Sequence, residues 1–169
     1  LIYSIPNLKE IFVKTQFVIV GGLATRLYMP ERMTLDIDIL IFSDDASTSE
    51  NELKKAGCQK QGLLSIKKST WLLPDSTSID VIICNEEWIQ EAISHPVIAS
   101  DGLPYMDLPY LVLMKFQSGR LQDMADISRM LCHADENYLK KIRILFQKYI
   151  PDTAEDLESL ILLGKLESC

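Results

Sequence analysis

The sequence is short of the residues that build a metal cage or a nucleic-acid surface unaided. It has only two histidines, His95 and His133, and neither sits in a ligand-type spacing. Its four cysteines, Cys58, Cys84, Cys132 and Cys169, form no C-x-x-C pair. A zinc ribbon or finger is therefore excluded, and the cysteines read as reduced thiols in or near a core. Positive charge is scarce, with 17 Lys and Arg against 24 Asp and Glu and a formal net charge of -7. That balance argues against an extended nucleic-acid or anionic-membrane surface, both of which need clustered cations. It leaves room for a local basic pocket around a nucleotide. Apolar runs such as Phe17 to Val20 are far too short to span a bilayer, so no membrane partner is expected. No signal peptide is visible and a cytoplasmic protein is expected; the chain opens on Leu1, so its first residues carry no argument.

What is present is ordinary globular material. The 169 residues are about one domain's length, and 47% apolar with 24% charged residues suits a packed core. Residues 8–14 can form a short opening helix. FVIVGG reads as a buried strand of β-branched and aromatic residues that stops at Gly21 and Gly22. A helical pattern resumes in ATRLYM until Pro30. LDIDILIF is the clearest strand, with Asp36, Asp38 and Leu40 on one face and Ile37, Ile39 and Ile41 on the other. A helix over 48–56 is expected, capped by Ser47 or Thr48 and stopped by Gly57. LLSIKK and SIDVII read as two further strands, 86–93 as a short helix, and VIAS-DG-LPYM as a hairpin. From Pro109 the pattern turns helical, at about 109–118, 121–133, 135–149 and 152–163. The expected organisation is a single domain over 1–169, with a sheet core at about 16–107 and a helical C-terminal part at about 108–169.

The acids carry the chemistry. Asp36 and Asp38 lie two apart on a strand, so both carboxylates point to one side. An apolar core explains Ile37 and Ile39 and leaves the acids unexplained, because two like charges so close are costly without a cation between them. A divalent metal meets that need, and Mg²⁺ prefers one or two carboxylates with phosphate oxygens completing its shell. Asp80 interrupts SIDVII in the same way, and a neighbouring strand could bring it to the same cluster. Gly21 and Gly22 permit a tight turn and leave amides free to meet phosphate.

The joint pattern resembles the nucleotidyltransferase superfamily, whose members share a polymerase-β-like core. An apolar residue precedes Gly-Gly (VGG), thirteen residues separate Gly22 from Asp36, the pair is DID, and a third acid stands in IDV at Asp80. Within the superfamily, GGLATRLY, RMTLDIDI and LPYLVLMKFQSGRLQDMADI are similar to the AbiEii-type and minimal nucleotidyltransferase branch. The resemblance implies an α/β, polymerase-β-like mixed sheet flanked by helices, with a C-terminal helical region. It also implies in-line attack on the α-phosphate of a nucleoside triphosphate, with release of pyrophosphate. Asp36 and Asp38 would hold Mg²⁺ or Mn²⁺ on the triphosphate. With Asp80 they would hold a second ion that lowers the pKa of the attacking hydroxyl, and Asp80 could take its proton.

The backbone at Gly21 and Gly22, with Thr25 or Arg26, would hold the β- and γ-phosphates. Arg26, Arg32, Lys115 and Arg120 are candidates to offset charge on the departing pyrophosphate. Lys115 would contact phosphate, and Asp123 or Asp126 would take a positioning role. Bland readings compete: Arg120 and Asp123 at i,i+3 make a helix salt bridge, and Lys115 after LPYLVLM could merely snorkel. The acceptor is open between RNA, a protein and a small molecule. A partner protein, as in toxin–antitoxin pairs, and a non-catalytic nucleotide-binding module are the alternatives.

Overall fold

The computed structural model describes residues 5–29, 34, 36–65 and 67–166. In chain order these form α1 (Leu8–Ile11), β1 (Phe17–Val20), α2 (Gly21–Thr25), β2 (Ile37–Phe42), α3 (Ala46–Lys55), β3 (Gln59–Ser65), β4 (Lys68–Leu72) and β5 (Ser78–Cys84). Then come α4 (Glu87–Ser94), β6 (Val97–Ile98), β7 (Pro104–Tyr105), α5 (Leu108–Ser118), α6 (Leu121–Cys132), α7 (Glu136–Tyr149) and α8 (Ala154–Leu166).

The chain divides into two compact units, one of residues 1–23 and 34–106, the other of 24–33 and 107–169. The first contains the whole seven-stranded sheet, in the order β3-β4-β5-β2-β1-β7-β6. The sheet is mixed: β2 runs parallel to β5 and antiparallel to β1, and β1 runs parallel to β7. The remaining pairs are antiparallel. Central strands carry the core. All four residues of β1 are buried, as are Ile37, Ile39, Leu40 and Ile41 of β2 and Ile79 and Val81 of β5. These β-branched and aliphatic runs suit strands covered on both faces. Trp71 on β4 and Leu53 on α3 are buried and line one small cavity with Val81, and α4, with Trp88, Ile89 and Ala92 buried, packs on β1 and β2. The loop before β1 is pinned by Glu52, whose carboxylate accepts the amides of Val13, Lys14 and Thr15.

The second unit is helical. Asp107 caps α5, accepting from the Leu108 amide, and Gly119 ends it in the left-handed region at φ 67°. Asp135 caps α7 by accepting from the Tyr138 amide. Leu111, Val112, Ile127, Met130, Leu139, Ile142, Phe146, Leu157 and Ile161 form its buried interior. Gly164 lets α8 approach α6 closely, since a Cβ there would meet the Ser128 carbonyl oxygen and lie 3.1 Å from the Cys132 amide nitrogen. Cys58 and Cys84 carry free thiols, and Cys132 is disulfide-bonded, which corrects the expectation of reduced thiols throughout. Among the described residues no helix is long and apolar enough to cross a membrane.

Candidate active site

Register decides which acids meet. Asp38 on β2 is the direct partner of Asp80 on β5, and Thr70 on β4 is the direct partner of Asp80 on its other side. Because side chains alternate along a strand, Thr70, Asp80 and Asp38 line up on one face across three strands. Thr70 Oγ1 donates to Asp80 Oδ1 at 2.6 Å. Two residues back on the same face, Lys68 reaches across: its Nζ lies 3.2 Å from Asp38 Oδ1 and 2.9 Å from Asp80 Oδ2. The side chains of Asp38 and Asp80 are 17% and 21% exposed, and that of Lys68 is 33% exposed.

Asp36 stands just before β2 and is exposed, its amide donating to Thr34 Oγ1 at 3.3 Å. It is close enough to act on Asp38 electrostatically. Burial raises the Asp38 pKa above the ordinary carboxylate value; Lys68 pulls it down, and the charges of Asp80 and Asp36 push it up again. Burial alone would lower the Lys68 pKa, but its two carboxylate partners outweigh burial and raise it. One ammonium thus serves Asp38 and Asp80, gaining from both without fully relieving Asp38, on which Asp36 also acts. The pocket keeps an excess of negative charge and favours a further cation.

Both glycines have steric reasons. Gly21 adopts φ +63°, and a Cβ on it would run into Asp38 Oδ2 and lie 3.0 Å from Asp38 Cγ. A Cβ on Gly22 would lie 2.6 Å from Thr34 Cγ2. The end of β1 therefore lies against the Asp38 carboxylate because residue 21 has no side chain.

The donor set bears on a metal. Among the described residues no three His, Cys, Asp or Glu side chains are grouped closely enough to hold an ion by themselves. Two carboxylates that already share one cation do fit Mg²⁺ or Mn²⁺ brought with phosphate oxygens, which needs no more than two from the protein. The fit is that of a shared ion, not of a protein-only cage.

The remaining candidates lie in the second unit. Thr25 is buried and Arg26 exposed at the end of α2. Lys115 is only 6% exposed, and its Nζ donates to Asp123 Oδ1 at 2.7 Å and to Asp126 Oδ2 at 2.9 Å. It therefore does not snorkel; it ties α5 to α6 inside the unit. Arg120 is largely exposed and donates from Nε to Asp123 Oδ2 at 2.6 Å, the i,i+3 bridge its spacing suggests. Burial pushes the Asp123 pKa up, but hydrogen bonds from Lys115, Ser118 and Arg120 prevail and hold it below the usual range. Arg32 lies outside the described residues. Trp71, Trp88 and Tyr105 are buried, and Tyr28 gives its hydroxyl to Asp107 at 3.4 Å.

Lys68 and Thr70 are the site residues the sequence pattern does not reveal: LLSIKK is expected as one strand ending at Lys68, whereas β3 ends at Ser65 and Lys68 opens a separate strand, KSTWL. Its signal is the alternation that buries Ser69 and Trp71 and turns Lys68 and Thr70 to the other face, closed by the Pro74-Asp75-Ser76 turn.

No protein-family model matches the chain, and no curated protein does. Solved structures do. ANT(2'')-Ia in complex with adenylyl-2''-tobramycin is similar with a TM-score of 0.50 and 16% identity over 94% of this chain and 94% of that one. The solution structure of the antibiotic-resistance factor ANT(2'')-Ia gives 0.50 and 15%, over 94% and 89%. The lincosamide antibiotic adenylyltransferase LnuA, lincomycin-bound, gives 0.50 and 16%, over 80% and 93%. At these identities the likeness shows the fold: this chain has the mixed-sheet α/β fold of solved nucleotidyltransferases.

Proposed function

We propose that the protein is a metal-dependent nucleotidyltransferase that moves a nucleoside monophosphate from a nucleoside triphosphate to a hydroxyl acceptor. The observation that supports this most is the pairing of Asp38 with Asp80 on adjacent parallel strands, half-buried, around a shared cation. A structural role for two such acids is a poor account, since an apolar pair at those positions would stabilise the sheet better. A Mg²⁺ or Mn²⁺ ion held by Asp38 and Asp80, with Asp36 at its exposed side, would screen the triphosphate and lower the pKa of the attacking hydroxyl.

Asp80, oriented by Thr70, would accept the proton of that hydroxyl. The Gly21 and Gly22 backbone would receive the phosphate tail, with Thr25 and Arg26 following in the chain; Arg120, proposed for the departing pyrophosphate, is already bridged to Asp123. Lys115 already serves two buried carboxylates, so a phosphate contact would have to be shared with them.

For the acceptor, ANT(2'')-Ia was captured with adenylyl-2''-tobramycin and LnuA with lincomycin, which favours a hydroxyl on a small molecule. The test is incubation with Mg²⁺ and each α-³²P-labelled nucleoside triphosphate, with aminoglycosides, a lincosamide, total RNA and lysate protein as separate acceptors. Label in a small-molecule fraction supports the full reading. Label in RNA or protein keeps the chemistry and changes the acceptor.

A further inference from the structure

Lys68 is unusual in standing where a metal would stand. Its ammonium contacts one oxygen of each carboxylate, 3.2 Å from Asp38 and 2.9 Å from Asp80, so it occupies the space between the two acids. An ion bound to the same oxygens at about 2.0–2.1 Å leaves no room for an ammonium between them. The two cations therefore exclude each other.

Resting on the nucleotidyl-transfer reading of this site, we propose that Lys68 is a built-in placeholder for the divalent cation, holding Asp38 and Asp80 together in the empty protein and leaving them when metal and triphosphate arrive. The construction suits release. Lys68 begins β4, is one-third exposed, and ends in a compact charge on a flexible four-carbon stem. Thr70 donates to the other Asp80 oxygen, Oδ1, so release of Lys68 from Oδ2 does not require that bond to break. Once displaced, Lys68 needs a new partner, and the triphosphate that accompanies the ion offers one beside the same acids. Metal alone takes both carboxylates and leaves the Lys68 ammonium uncompensated, whereas metal with triphosphate gives it a new partner. The protein should consequently bind the ion weakly by itself and much more tightly with nucleotide.

The experiment is a Mn²⁺ titration followed by electron paramagnetic resonance, on the wild type, Lys68→Met, Lys68→Gln and the double variant Lys68→Met/Asp38→Asn. Each is measured with no nucleotide and with a non-hydrolysable ATP analogue. Expected is at least a tenfold gain in Mn²⁺ affinity for Lys68→Met without nucleotide, lost again in the double variant, and a smaller effect of the analogue than in the wild type. Thermal melts should show Lys68→Met destabilised without Mn²⁺ and restored by it. If either single variant, folded by circular dichroism, binds Mn²⁺ no better than the wild type, the placeholder is refuted. Should the wild type then still bind Mn²⁺ with the analogue and lose it in Asp38→Asn, the functional reading survives. If no variant binds Mn²⁺ under any condition, both fail.

Discussion

Gly21→Ala tests the site's construction without reference to any substrate. Two costs add. The backbone sits at φ +63°, where a residue with a Cβ is strained by about 1–2 kcal/mol. The new methyl also meets Asp38 Oδ2, with Asp38 Cγ at 3.0 Å and Cβ at 3.1 Å. Swinging the carboxylate aside relieves only the first of these contacts and gives up the bond to Lys68, so the overpacking should cost a further ~1–3 kcal/mol. The wild-type background should lose about 2–5 kcal/mol in total. In an Asp38→Ala background the carboxylate is gone and only the Cβ contact at 3.1 Å is kept, so the same substitution should cost little beyond the backbone strain of about 1–2 kcal/mol. Urea unfolding of the four proteins gives the coupling directly, because loss of the Lys68 pairing through Asp38→Ala appears in both arms and cancels. A coupling of ~1–3 kcal/mol is expected. Strict additivity would show that Gly21 is not kept small by Asp38, and the site geometry described above would be wrong.

Three further outcomes follow from the same structure. Lys115→Met should destabilise the protein by about 3–5 kcal/mol in chemical unfolding, because Asp123 and Asp126 are left buried without their shared cation; a loss under ~1 kcal/mol, the level of an exposed pair, would contradict the buried network. Gly164→Ala should lower the melting temperature despite the better helix propensity of alanine, since its Cβ meets the Ser128 backbone carbonyl; an unchanged or raised value would mean that α8 and α6 are not so close. Burial raises the Glu52 pKa, but hydrogen bonds from Thr15 and from the amides of Lys14 and Val13 outweigh it and leave the folded value depressed. Its stabilisation is therefore present above the unfolded carboxylate pKa, about 4.3, and lost as pH falls through the lower folded value. Glu52→Gln should flatten the acid limb of a melting-temperature profile, and identical limbs would refute the assignment.

Where local pattern decides structure, the sequence was readable. FVIV became a fully buried strand, Ile37, Ile39 and Ile41 turned inward, and Gly119 and Gly57 ended their helices at positive φ. The four C-terminal helices stand within about three residues of their expected limits. The α3 start was misplaced: it begins at Ala46 after a short 3₁₀ turn at Ser43–Asp45, and its N-cap residue Asp45 makes no side-chain cap bond. Alternation placed Asp36 and Asp38 on a common strand, yet β2 starts at Ile37 and leaves Asp36 outside it. The larger omission is β4. KSTWL is polar at three of five positions, and its strand character comes from pairing between β3 and β5, which no local pattern carries. Lys68 could not be assigned to Asp38 because they meet across an intervening strand, a consequence of sheet order alone. The ion pairs of Lys115 are hidden for the same reason: LPYLVLMK shows its apolar surroundings but not that α6 turns both Asp123 and Asp126 toward it.

Nucleotidyl transfer at the Asp38–Asp80 pair is the proposed activity. Its most direct test is pyrophosphate release from nucleoside triphosphates in the presence of Mg²⁺ and an accepted hydroxyl compound, comparing the wild type with Asp38→Ala and Asp80→Ala. Release by the wild type is expected, with a fall of at least a thousandfold (about 4 kcal/mol of barrier) in each variant and unchanged circular dichroism spectra in all three proteins. Release that persists at the wild-type rate in both variants would contradict the proposal.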